Sequence, residues 1–146
     1  MPRHLDLSPR RLVACYLAAL VCFLGLDACW LTLAGPHLYR PALDPHLATA
    51  VDWRAAALFY TLYIAGLVVF AIAPAIVAKD AALGLRRGGL LGMFAYATYD
   101  LTNQATMSDW PWSVTFADLA WGTFVSAVAS WAASRWMLRP TAPRAR

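Results

Sequence analysis

Three aspartates have the residue type and the placement to do chemistry. Asp27, Asp100 and Asp118 each fall within a stretch of otherwise apolar sequence. There a carboxyl group can hold a proton, receive a cation or bind a donor-bearing polar group. Two of them recur in one local form, Asp27-Ala28-Cys29-Trp30 and Asp118-Leu119-Ala120-Trp121. In a helix this puts an indole N–H one turn from the carboxylate, on the same side. No basic residue is buried beside them to neutralise the acids. Arg54, at the mouth of a further apolar stretch, is within snorkelling reach.

The elements that must position these acids follow from composition. Hydrophobic residues make up 61% of the 146 and charged residues 14%, against about 45–50% and about 25% in ordinary soluble proteins. All eight acids are Asp, and eleven of the twelve bases are Arg. A soluble helical protein spreads Glu and Lys over its exposed faces, so that class is excluded, as is a disordered chain. An integral membrane protein is expected.

Crossing roughly 30 Å of hydrocarbon takes about 20 apolar residues. Four stretches qualify, 12–33, 55–78, 88–106 and 113–138, the third having a polar second half. Ser8 is placed to cap the first, with Pro9 at its first helical position, and the second carries Pro74 near its far end, a site for a kink or early unwinding. The fold class is therefore all-α, an integral membrane four-helix bundle forming one membrane domain over 1–146. The first stretch is expected to be a retained span and not a cleaved leader, being long for a signal core.

The charges set the orientation. Arg3, Arg10, Arg11, Lys79, Arg86, Arg87, Arg135, Arg139, Arg144 and Arg146 fall on one side of the four stretches, and only Arg40 and Arg54 on the other. The positive-inside rule then places both termini in the cytoplasm, N-in and C-in. This accounts for the net charge of +4 without a nucleic-acid partner, and no nucleic-acid motif is present. Trp53, Trp110 and Trp112 at the outer boundary, with Trp131 and Trp136 near the inner one, read as interfacial anchors.

At 1.5 Å rise per residue, Asp27, Asp100 and Asp118 all lie roughly 8–9 Å below the outer surface. Tyr60 and Tyr63, and Tyr99 and Asn103, fall near the same level. Four helices thus supply polar groups to one layer. An Asp at a span's centre costs roughly 2.5–3.5 kcal/mol on insertion scales, so the three should face one another inside the bundle. On the fourth span Asp118, Gly122, Val125, Ala129 and Ala132 form the matching inward face.

Other candidates carry blander readings. Cys15, Cys22 and Cys29 repeat every seven residues, with Ala18 and Gly25 near the same stripe, and read as a packing seam. His37, Asp44 and His46 include metal-ligand types but match no metal spacing, and Asp44-Pro45 reads as a helix start. Gly84, Gly88 and Gly92, followed by Tyr96 and Asp100, are the small-residue pattern of closely packed spans.

The strings Phe94-Ala95-Tyr96-Ala97-Thr98-Tyr99-Asp100-Leu101-Thr102-Asn103-Gln104-Ala105-Thr106 and Asp118-Leu119-Ala120-Trp121-Gly122-Thr123 resemble the bacterial membrane-protein family called domain of unknown function 2177. Leu26-Asp27-Ala28-Cys29-Trp30-Leu31 and Phe59-Tyr60-Thr61-Leu62-Tyr63-Ile64-Ala65-Gly66-Leu67 are similar to its earlier segments. The resemblance covers nearly the whole chain. It implies a small multi-pass protein of the bacterial inner membrane and supplies no reaction.

The function expected is binding or transport of a proton, cation or small polar group. Asp27, Asp100 and Asp118 form its ionisable core, lined by Trp30, Tyr60, Tyr63, Tyr99, Asn103 and Trp121. An accessory or scaffold subunit of a lipid-modifying membrane system is the alternative, the layer then serving as hydrogen-bonded glue. A lipid-modifying enzyme is a third reading, although no nucleophile–base pair or metal cluster is visible. The lipid bilayer is the expected partner, with a homodimer or membrane partner subunit, since four spans are few for a monomeric transporter. No cofactor is indicated.

Overall fold

The computed structural model describes residues 7–44 and 47–139, and these are helical throughout apart from short connections. Four long helices follow in order: α1 (Pro9–Leu43), α2 (Trp53–Ala78), α3 (Ala81–Thr106) and α4 (Trp112–Met137). Of these, α1 and α2 are long and apolar enough to cross a membrane by length and composition. The other two press a row of glycines on α3 against a row of serines on α4.

Pro9 opens α1 at its first position, as its fixed φ suits, but Ser8 makes no side-chain cap; its carbonyl takes the amides of Arg11 and Leu12. The helix does not stop near residue 33. It passes through a π turn at Gly35–Tyr39, with Pro36 inside, and continues over Arg40–Leu43. Its 35 residues would extend about 52 Å if straight, well beyond the hydrocarbon thickness. Asp44 closes this helix and does not open another: residues 47–52 are irregular, and Pro45 and His46 lie outside the described residues.

Asp52 caps α2, its carboxylate accepting from the amides of Arg54 (2.9 Å) and Ala55 (3.3 Å). This helix does not unwind at Pro74. A π turn at Val68–Ile72 precedes the proline and loosens the turn that its missing N–H would otherwise close. Lys79, left-handed at φ 56°, ends α2. Asp80 then caps α3 by accepting from Ala82 N (2.8 Å). Helix α3 begins earlier than expected, so Arg86 and Arg87 lie within its second turn and not in a loop.

Neighbouring helices run antiparallel. Along α1, Phe23 stacks edge-on to Tyr63 and Asp27 bonds Tyr60, so α1 and α2 run in opposite directions. Gly84 faces Ser134 and Gly92 faces Gly122, so the same holds for α3 and α4. The apolar core joins Cys15, Ala19 and Phe23 of α1, Ile64, Leu67, Ile72 and Ile76 of α2, and Val125, Ala129 and Ala133 of α4. On the expected inward face of α4, Ala133 replaces Ala132, which is half-buried.

Two local readings are corrected. The cysteine stripe is a seam over only part of its length: Cys15 lies in the core and Cys22 packs against it, but Cys29 is exposed, and a Cβ added at Gly25 would meet nothing within 4 Å. A seven-residue repeat drifts about 20° per heptad around a straight helix, which carries it off the contact. Trp110 is buried, with its Nε1–H on Thr115 Oγ1 (3.1 Å) and its ring beside Leu43 and Val114, so it locks helix ends together instead of anchoring an interface. His37 is exposed on the π turn of α1, apart from any cluster of ligand types among the described residues.

Candidate functional site

The two Asp-x-x-Trp segments meet face to face. Trp30 and Trp121 stack with ring centroids 4.6 Å apart and planes 6° from parallel. Each indole serves the other helix's acid. Trp121 Nε1–H donates to Asp27 Oδ1 (3.2 Å), while Trp30 Nε1–H donates to the Tyr39 hydroxyl (2.9 Å), which in turn donates to Asp118 Oδ1. Tyr60 donates to the second oxygen of Asp27 (2.5 Å). Antiparallel helices carrying the same four-residue pattern thus form a reciprocal pair, one arm direct and the other relayed through Tyr39.

Tyr39 reaches Asp118 because α1 does not end where the apolar run ends. The π turn at Gly35–Tyr39 redirects the chain, and Leu38, Tyr39, Ala42 and Leu43 pack on Trp110 and Val114 at the start of α4. The tail of α1 is thereby held against the outer end of the acid pair.

Asp27, Trp30, Tyr39, Tyr60, Asp118 and Trp121 line a cavity of about 280 Å³, completed by Leu31 and Tyr96. Among the described residues no basic side chain lines it. The ion pair found among the described residues, Arg86 with Asp80 (3.2 Å), lies on the surface at the opposite end of α3. Asp118 also faces a second cavity of about 410 Å³ with Phe59, Tyr63, Ala95, Tyr96 and Tyr99. Tyr96 divides the two. Its ring lies where a Cβ at Gly122 would be, so only glycine admits it.

Below Tyr96 the α3–α4 contact is closed. Every fourth residue of α3, Gly84, Gly88 and Gly92, meets every fourth residue of α4, Ser134, Ser130 and Ser126. A Cβ at Gly84 would stand 2.6 Å from Ser134 Oγ, and one at Gly92 would overlap the Gly122 carbonyl. The same rows continue outward as Tyr96 and Asp100 on α3 and as Gly122 and Asp118 on α4. The residues that could do chemistry are therefore the outward continuation of a packing seam.

Asp100 is fully buried, and neither carboxylate oxygen has a hydrogen-bond partner among the described residues. One turn further out, Gln104 donates to the Trp110 carbonyl (2.9 Å) and accepts from Thr115 (3.2 Å). This network covers Asp100 from the outer side without bonding it.

The structure brings Asp27, Trp30, Tyr60, Asp118 and Trp121 together around one cavity, and it sets Tyr63 and Tyr99 with Asp118 around the next. Tyr63 also bonds Ser126 (2.7 Å), and Tyr99 meets the Trp110 ring edge-on. Asp100 lies on the seam but lines neither cavity, and Asn103, half-buried, lines none of those described. Tyr39 and Tyr96 line the site and were not among the expected residues. Tyr96 had a signal, standing one turn from Asp100 on the glycine row. Tyr39 had none, since Gly35-Pro36 reads as a helix end.

A scan against protein families matches residues 12–135 to the family described as Predicted membrane protein (DUF2177). Neither the curated proteins nor the solved structures contain a match. The family match takes in all four helices and every residue of the site, and the chain belongs to the DUF2177 family of predicted membrane proteins.

Proposed function

We propose that this chain spans the bacterial inner membrane four times, with both termini cytoplasmic, and that its Asp27–Asp118 cavity binds a cation or a donor-bearing polar group. All four helices turn large apolar side chains outward, among them Val21, Phe70, Phe94 and Phe124, while Asp, Ser and Gly lie between them. That distribution suits lipid around every helix. The described bases support the orientation: Arg10, Arg11, Lys79, Arg86, Arg87, Arg135 and Arg139 sit at one set of helix ends, and Arg40 and Arg54 at the other.

The binding reading is carried by one observation. Two largely buried carboxylates face a single cavity that, among the described residues, no basic side chain lines. Buried acids in a span are paired with one another, with a cation or with protons. Stacked indoles and phenol rings around them suit an ammonium ion, through cation–π attraction and through hydrogen bonds to the carboxylates.

The scaffold reading has its own support, since four side-chain hydrogen bonds join α1, α2 and α4. Glue accounts for the bonded oxygens. It leaves without a role the side of Asp118 turned to both cavities. Interhelical hydrogen bonds also average only about 0.6 kcal/mol.

Titration of butylammonium into the purified protein in nanodiscs tests the proposal. Saturable binding to the wild type is expected, weakened at least tenfold by Asp27→Asn or Asp118→Asn with folded yield retained. Equal affinity in all three proteins would leave glue as the better account.

A further inference from the structure

We infer that the ligand is a single-chain amphiphile with a cationic head, its head held at Asp118 and its alkyl chain lying in the groove between α2 and α3. This rests on the cation-binding reading and extends it to the substrate class. The cavity of about 410 Å³ at Asp118 and a further one of about 350 Å³ share Phe59, Tyr63 and Ala95. The second continues along Leu62, Gly66, Phe70 and Leu91, all apolar. Together they form one trough with a carboxylate at its outer end and hydrocarbon walls below. From Phe59 to Phe70 the trough follows eleven residues of α2, about 16 Å at 1.5 Å each. That equals roughly half the hydrocarbon thickness, measured inward from the level of Asp118.

Gly66 lies on the wall of the trough without filling it. Gly84, Gly88, Gly92 and Gly122 are small because a neighbouring helix stands where a side chain would go. Gly66 has no such neighbour: a Cβ there would meet nothing within 4 Å. Glycine inside a helix costs about 1 kcal/mol relative to alanine, and its effect here is to keep the trough open. Tyr63, drawn inward by its bond to Ser126, leaves its ring as the trough's floor.

Lipid surrounds such a trough in any case, and moving a chain from lipid into it gains no hydrophobic free energy. Selection must therefore come from the head, and Asp118 selects a cation. Because α2 enters from the outer side in the proposed topology, the carboxylate end of the trough is the end nearer the outer surface.

Photolabelling with dodecylammonium carrying a terminal diazirine, in nanodiscs, tests this. Adducts mapped by mass spectrometry are expected on Leu62, Phe70 and Leu91 at least fivefold above those on outward residues elsewhere, such as Val21 and Phe124. The enrichment should vanish in Gly66→Leu, with Gly66→Phe as a second way of filling the trough, while butylammonium affinity stays unchanged in both. A dodecyl sulfate of the same design should label without enrichment. Adducts spread evenly over the wild type would overturn the inference, as would equal enrichment with the sulfate. Either result, alongside butylammonium binding that still depends on Asp27 and Asp118, would leave the cation site standing.

Discussion

The inner and outer halves of the α3–α4 pair use one four-residue spacing for opposite ends. In the inner half, Gly84, Gly88 and Gly92 press on Ser134, Ser130 and Ser126 so closely that no side chain could be added. In the outer half the rows widen to Tyr96 and Asp100 opposite Gly122 and Asp118, and cavities open on either side of Tyr96. The inner half holds buried Ser130 and Ser134 hydroxyls without partners among the described residues, and neither lines the cavities at Asp118. The outer half places its acids at the rim of open space. Buried polarity alone therefore does not make a site; polarity beside accessible volume does.

The largest effect should come from ending that contrast in the inner half. Gly92→Leu would drive a side chain into the Gly122 carbonyl, where backbone cannot yield. A destabilisation of about 3 kcal/mol or more, the upper range for overpacking, is expected, read as loss of folded protein by size exclusion in detergent. Gly66→Leu should fold at wild-type yield, and equal losses at both positions would erase the distinction between the two kinds of glycine.

The reciprocal pair in the outer half offers a finer test. Trp30 acts on Asp118 only through Tyr39, so Trp30→Phe and Tyr39→Phe should not be additive. A coupling of about 1 kcal/mol in a double-mutant cycle of chemical unfolding in mixed micelles is expected. Additive losses would mean that Tyr39 holds Asp118 without help from the indole.

Asp100 and Asp27 should respond in opposite senses. Asp27 receives two hydrogen bonds, so Asp27→Asn should lower the thermal midpoint. Asp100 receives none, so Asp100→Asn removes a buried charge-bearing group without breaking a contact and should raise the midpoint, by the equivalent of about 1 kcal/mol. A fall at Asp100 would assign it a donor. Smallest of all, Tyr63→Phe should cost about 0.6 kcal/mol, the usual worth of an interhelical bond in lipid.

Much of this arrangement was legible in the residues. Apolar runs marked the helices, and the expense of an acid in lipid pointed Asp27, Asp100 and Asp118 inward before any coordinates. The Asp-x-x-Trp repeat announced the pair, but its pattern could only place indole and acid on one side of one helix. That each Trp serves the opposite helix depends on how antiparallel neighbours interleave, which a single helix's periodicity does not contain. Tyr39 was hidden because Gly35-Pro36 ordinarily ends a helix, and a π turn carried α1 past it. Trp110 resembled an interfacial anchor because a tryptophan beside a proline at a span's mouth reads the same whether it faces lipid or a neighbouring helix.

The most direct test of the acid pair is calorimetric titration of butylammonium into the wild type and into the Asp27→Asn/Asp118→Asn double variant, both checked for folded yield. Binding of one ion per chain to the wild type and at least a hundredfold loss in the double variant are the expected results. Undiminished binding by a folded double variant would contradict the assignment of the cavity to a cation.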